Sequence, residues 1–101
     1  MTEGQRAVRV LEEALEDSGA AIEWYRAEAG DELASRFAQE VDAALAQLAE
    51  WPFSGRPYDE TRRAVVLRTF PFPALYRVTS ETIEVLAVAH GRRHPRFWKG
   101  R

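Results

Sequence analysis

The residues with most chemistry to offer crowd the end of the chain. Positions 90–101 read HGRRHPRFWKGR, with five Arg or Lys, two His, a Phe and a Trp, directly after the apolar run VLAVA at 85–89. A metal-free ribonuclease must activate a 2′-hydroxyl, stabilise a phosphorane and protonate the leaving oxygen. That requires a general base, a general acid and cations near the phosphate. Arg68, Arg77, His90, Arg92, Arg93 and His94 supply those residue types. His90 closes an apolar strand, where a rigid backbone would position it well; the same place also suits a hydrogen-bonded structural histidine. His90 and His94 stand four apart, a spacing that holds a metal on a helix. Gly91 and Pro95 oppose a regular helix and no cysteine completes a ligand set, so neither a metal nor a cofactor is expected. Burying unpaired cations in a small domain costs several kcal/mol each, so Arg92, Arg93, Arg96, Lys99 and Arg101 are expected to face outward. Ala89, Phe97 and Trp98 are expected to face the protein.

The elements that must position these residues are readable from periodicity. Residues 5–11, QRAVRVL, carry Val8 and Val10 on one side of a first strand. Leu11, Leu15, Ser18, Ile22, Tyr25 and Ala29 recur at spacings of three and four, the stripe of an amphipathic helix. Glu12, Glu13, Glu16 and Asp17 fall in its first turns, where carboxylates suit the positive end of the helix dipole. Gly30 is a natural stop, and Asp31 can cap the helix that follows. That second helix has the stripe Leu33, Phe37, Val41, Leu45 and Leu48, with Ala34, Ala38 and Ala44 beside it, and Pro52 ends it near Trp51. Trp24 and Trp51 read most simply as packing residues.

Residues 52–61, PFSGRPYDET, read as a loop, in which Phe53 and Tyr58 could touch a partner. Three strand signals follow, at 63–70, 73–79 and 82–90. The prolines of FPFP at 70–73 belong in a connection or on an edge. A two-residue loop at Ser80 and Glu81 would set Arg77 opposite Glu84 and Tyr76 opposite Val85. The order β-α-α-β-β-β implies an α+β sandwich, a helical hairpin packed on a mainly antiparallel sheet. The place of the first strand in that sheet is open.

Length and composition narrow the function classes. A chain of 101 residues has one core and one domain, 1–101. Apolar residues make up 46 %, which fits a globular protein rather than a disordered one. No apolar run approaches the length of a signal peptide or a membrane span, and cysteine is absent, so a soluble, cytoplasmic protein is expected. The net charge of −2 hides a split. Residues 1–50 hold four Arg and twelve Asp or Glu, whereas residues 51–101 hold ten Arg or Lys and four Asp or Glu. The basic half either meets an acidic partner or neutralises the acidic half on folding.

Three stretches together resemble the RelE/ParE superfamily of toxins from type II toxin–antitoxin modules. ALEDSGAAIEWY at 14–25 is similar to the family's opening helix. LRTFPFPALYRV at 67–78 is similar to its central strands, and VLAVAHGRRHPRFW at 85–98 to its ending. The resemblance implies the same α+β fold. It also implies a cognate antitoxin, a small protein with a DNA-binding N-terminal domain and a segment that wraps the toxin. Leu33 and Phe37 are the residues expected to receive that segment. The target divides by branch. ParE-like members bind and inhibit DNA gyrase, a role in which His90, Arg92, Arg93 and Arg96 would meet the target. RelE-like members are endoribonucleases that cut messenger RNA in the ribosome, a role for Arg68, His90 and Arg93. The ribonuclease-like members usually carry a cation just before the Tyr of the "RVIY"-like run, and often a terminal Tyr as acid. Here the run is PALY, ending at Tyr76, and the late aromatic is Trp98, whose indole cannot donate a catalytic proton. The ParE-like branch is therefore expected.

Overall fold

The computed structural model describes residues 6–89. Strand β1 (Ala7–Val10) leads into helix α1 (Glu12–Ala29), and α2 (Asp31–Glu50) follows after a single residue. That residue is Gly30, at φ 94°, a left-handed backbone that a side chain would strain. It is what lets two long helices meet with no longer turn between them. Asp31 does not cap α2 through its side chain. It is the first helical residue, and its carboxylate instead accepts a hydrogen bond from Arg26 Nε at 3.2 Å across the hairpin turn. The second helix stops at Trp51, as Pro52 requires.

The buried face of α1 is turned from the expected stripe. Ala14 and Ala21 are its buried residues, Ile22 and Tyr25 are half-buried, and Leu15 points outward. Two small residues seven apart let the helix lie close against its neighbours, and Asp17 draws it toward β5 by accepting the Val88 N–H at 3.0 Å. In α2 the expected stripe holds, with Ala34, Phe37, Ala44 and Leu48 buried and Leu33, Val41 and Leu45 at its margins.

The sheet has five strands in the order β1-β5-β4-β3-β2. Here β2 is Arg56–Pro57, β3 Arg62–Val66, β4 Pro73–Val78 and β5 Thr82–Val88. The first strand lies parallel to β5, from Ala7 opposite Thr82 to Val10 opposite Val85, and all other pairings are antiparallel. The loop expected at 52–61 thus contains a two-residue edge strand, its Pro57 placed where no further ladder bond is needed. Strand β3 ends at Val66, not at residue 70. The chain turns there, with the Leu67 N–H bonding to Phe72 O at 3.1 Å, and Phe70 and Phe72 fold into the core. The β4–β5 register is the expected one, Tyr76 opposite Val85 and Arg77 opposite Glu84, closed by Thr79 N–H to Thr82 O at 2.8 Å. A bulge between Leu75 and Tyr76 shifts the ladder beyond that point.

The main core lies between the hairpin and the sheet. Its centre is a box of four rings. Phe37 stands 5.4 Å from Tyr25, 5.2 Å from Phe70 and 4.9 Å from Phe72, mostly edge to face. Phe37 has 0 % of its surface exposed. The expectation that it receives an antitoxin segment is therefore corrected: the ring is consumed in joining α2 to the β3–β4 connection. A second, smaller cluster of Leu75, Leu86 and Ala87, with Leu11 beside it, is separate from that core. Removing the central ring tests this arrangement. Phe37→Ala should lower unfolding free energy by about 3–5 kcal/mol in a denaturant titration.

Candidate partner-binding surface

The residues singled out in the sequence fall at different places. His90, Arg92, Arg93 and Arg96 lie outside the described residues. Arg68 is exposed on the connection between β3 and β4. That connection is held down by Glu40 of α2, whose carboxylate accepts the Thr69 N–H at 2.9 Å and also the Thr69 hydroxyl. The hydroxyl bond, and then the backbone one, hold the Glu40 carboxyl below its usual range. At the same end of the sheet the Ala89 N–H donates to Pro73 O at 3.2 Å. The Arg68 turn and the end of β5 are thus brought together. Leu33 is half-buried at the margin of the core.

Trp24 and Trp51 do not pack as expected; they are 58 % and 62 % exposed. Trp24 meets Tyr25 edge-on, ring centroids 5.1 Å apart. The buried face of α1 passes through Ala21 and Tyr25, which leaves Trp24 turned off it. Trp51 follows the last turn of α2, where the chain swings away toward β2.

A cluster not foreseen in the sequence sits at the other end of the sheet. After α2 the chain turns through Ser54, whose N–H bonds to Trp51 O at 3.1 Å, and Gly55 runs tightly beneath the sheet. The Gly55 N–H donates to the hydroxyl of Tyr76 at 2.9 Å, and Tyr76 is completely buried. Burial pushes the Tyr76 hydroxyl pKa up. Arg63, opposite Tyr76 on β3, donates through Nη1 to Phe53 O at 3.2 Å and to Gly55 O at 2.8 Å. Between them Tyr76 and Arg63 fix the loop so that the Phe53 ring stands 58 % exposed. Two guanidinium groups lie over that ring, Arg63 at 5.1 Å and Arg6 at 5.7 Å from its centroid. Arg6 reaches there from the start of β1 and is pinned by Nε to Thr79 O at 2.7 Å.

Beside this ring the 58–62 turn is closed by Asp59. Its Oδ1 accepts the N–H groups of Thr61 at 3.0 Å and Arg62 at 2.8 Å, and its Oδ2 takes Arg62 Nε at 2.9 Å and Nη2 at 2.6 Å. The Arg62 side chain, ahead of the backbone donors, lowers the Asp59 carboxyl to about 2. Arg62 in turn lies 5.0 Å over the Tyr58 ring. Phe53, Pro57, Arg62, Arg63, Arg77 and Val78 line an open cleft of about 360 Å³. Stacked arginines beside exposed rings are the chemistry of anion and protein recognition, not of proton transfer. Among the described residues no group of three acidic or histidine side chains is arranged to hold a metal, and no helix is long and apolar enough to cross a membrane.

A two-helix hairpin laid on a five-stranded mixed sheet is a fold already seen in a solved bacterial structure. The solved structure of a chromosomal ParDE toxin–antitoxin system from P. aeruginosa superposes with a TM-score of 0.77 over 87 % of this chain and 98 % of that one, at 22 % identity. The family model of the ParE toxin of the type II toxin–antitoxin system parDE matches residues 8–95, and the chain belongs to that family. Toxin ParE2 of Mycobacterium tuberculosis, in strains CDC 1551 / Oshkosh and ATCC 25618 / H37Rv, is 31 % identical over 90 residues, 89 % of this chain and 86 % of that protein. The protein is thus a ParE-type toxin of a type II toxin–antitoxin system, which confirms the expected superfamily, branch and α+β fold.

Two tests follow from the geometry of the cleft. A Cβ on Gly55 would lie 2.6 Å from the Tyr76 hydroxyl and 2.7 Å from Ala64 O, so Gly55→Ala should cost about 1–3 kcal/mol in chemical denaturation. Tyr76→Phe orphans the Gly55 N–H and should cost about 1–3 kcal/mol. The second test is acid titration. With its folded pKa lowered to about 2, Asp59 stabilises the turn at any pH above its unfolded value of about 3.9. That contribution falls away as pH drops through the folded value. A carboxyl NMR titration should place the Asp59 midpoint near 2, and Arg62→Gln should move it up toward the ordinary value.

Proposed function

We propose that this toxin arrests growth by binding and inhibiting DNA gyrase, and that a cognate antitoxin with a DNA-binding N-terminal domain neutralises it. The match to the ParE family over residues 8–95 is the observation that carries this reading. Gyrase inhibition is the activity that the ParE-like branch implies. The departures from the ribonuclease-like pattern at PALY and at Trp98 point the same way. His90, Arg92, Arg93 and Arg96 are the proposed target contacts, a basic segment suited to a negatively charged surface. The antitoxin is proposed to lay apolar side chains near the hairpin tip, at Leu33, with Trp24 in place of the buried Phe37. Both lie within two helical turns of Gly30, and Trp24 offers the kind of exposed aromatic that dominates interfaces. ParE-type toxins act as binding proteins in this reading, so no residue is given a catalytic role.

Purified toxin in two assays tests the proposal. Added to gyrase and relaxed plasmid, it should abolish supercoiling while leaving messenger RNA intact on translating ribosomes. Ribosome-dependent cleavage with normal supercoiling would instead assign Arg68, His90 and Arg93 to a ribonuclease. Arg92→Glu with Arg93→Glu should fold normally, lose gyrase inhibition and abolish growth arrest. His90→Ala should leave growth arrest largely intact. A ribonuclease that lost its general acid or base would instead slow by about 10²–10⁴-fold.

A further inference from the structure

The cleft around Phe53 lies at the opposite end of the sheet from Ala89, where the chain leaves for the basic segment 90–101. The seven residues of β5 separate the two ends, roughly 20 Å at strand rise. Its arginines differ in how their charge is met. Arg62 is held by Asp59, and Arg77 by Glu84 at 2.6 Å. Arg63 has only two neutral carbonyl partners, both on Nη1, and among the described residues no carboxylate reaches it. Its guanidinium is half-buried and stacked near Phe53. Stacking uses the face of a guanidinium and leaves its N–H edge available for a carboxylate fork. The unusual feature is therefore a fixed cation with no carboxylate partner among the described residues, beside an exposed aromatic ring, with Arg6 over the same ring.

We infer that this cleft is a second docking point on the toxin, which receives a carboxylate side chain of the antitoxin on Arg63 and an adjacent apolar side chain on Phe53. The inference rests on the antitoxin reading above and adds to it a site remote from the hairpin tip. A peptide fits better than a nucleic-acid backbone. Each strand of a duplex sets down a phosphate about every 3.4 Å of helix axis, and such a row would meet Asp59 and Glu60 at the rim as well as Arg63. A peptide can place one acidic residue on Arg63 and set apolar neighbours against Phe53, Pro57 and Val78. Charge complementarity of this kind speeds encounter and fixes register.

Substitution at Phe53 tests the site without touching the bonds that hold the loop, because those use its backbone. Phe53→Ala removes the ring. Phe53→Glu supplies an intramolecular carboxylate to Arg63 and should block the site outright. Calorimetric titration at low and high salt would use full-length toxin against the neighbouring-gene antitoxin, a capped six-residue Glu-Leu peptide and a short DNA duplex. The expected result is antitoxin binding that weakens at least about tenfold in Phe53→Glu and less in Phe53→Ala, with thermal midpoints unchanged. The peptide should bind wild-type toxin, lose affinity at high salt and fail on Phe53→Glu. Equal antitoxin affinity across the three proteins overturns the docking point while leaving the toxin–antitoxin reading intact. If the antitoxin binds none of them, that reading fails, and the peptide result alone decides whether the carboxylate site exists. DNA that binds wild-type toxin and is lost in Phe53→Glu, with no peptide binding, overturns the inference in favour of a nucleic-acid site.

Discussion

Slide β4 by one residue against β5, and Tyr76 would leave the core while Arg77 entered it. Side chains alternate across a strand, so a unit slip exchanges the two faces entirely. The two-residue loop at Ser80 and Glu81 prevents this, closed by Thr79 and Thr82 through backbone and hydroxyl bonds. In the register so enforced, Tyr76 and Val85 face the helices, and Arg77 meets Glu84 on the other side. Much else depends on Tyr76. Its hydroxyl accepts the Gly55 N–H, which draws the segment after α2 under the sheet, and β3 places Arg63 opposite it to hold the same segment by its carbonyls. The exposure of Phe53 is thus set by the pairing of two strands that do not contain it.

The hairpin is attached by a different means. Tyr25, Phe37, Phe70 and Phe72 join both helices to the β3–β4 connection through their rings, and Glu40 fastens the same connection from outside. Asp17 does for β5 what Glu40 does for that turn, a helix carboxylate satisfying a backbone N–H of the sheet. Carboxylates used in this way explain part of the charge split between the halves of the chain. The two helices hold eleven carboxylates and two arginines, whereas the five strands hold five arginines and one glutamate. Folding does not simply cancel the two. Glu23 and Asp31 pair with Arg26 inside the hairpin, and Asp59 and Glu84 pair with arginines inside the basic half. The molecule keeps an acidic helical layer and a basic sheet, a polarity suited to different partners on different sides.

Local pattern carried a good deal of this. The helix stop at Gly30, the end of α2 before Pro52, the α+β order and the Tyr76–Val85 register were all readable, because each depends on residues near in sequence: a left-handed glycine, an imino ring, a two-residue turn. The likeness of residues 14–25, 67–78 and 85–98 to one toxin family was readable for the same reason, since each is a contiguous motif. The sequence by itself thus determined the fold class and the family of the protein. What it left open involved distance along the chain. Whether β1 joins β5, and in which direction, turns on a pairing between residues 75 positions apart, Ala7 and Thr82. The helical stripe of α1 could not reveal that Ala14 and Ala21 would be buried in place of Leu15, because helix period sets the spacing of a face and not which neighbour it meets. Phe37 shows the same limit, since a large apolar residue on a stripe serves a core or a partner equally well until its surroundings are known. The Arg6, Phe53 and Arg63 cluster was decided by tertiary structure alone. Its members come from the start of β1, the end of α2 and the start of β3, and only the closing of the sheet over the Gly55 segment brings the three side chains together.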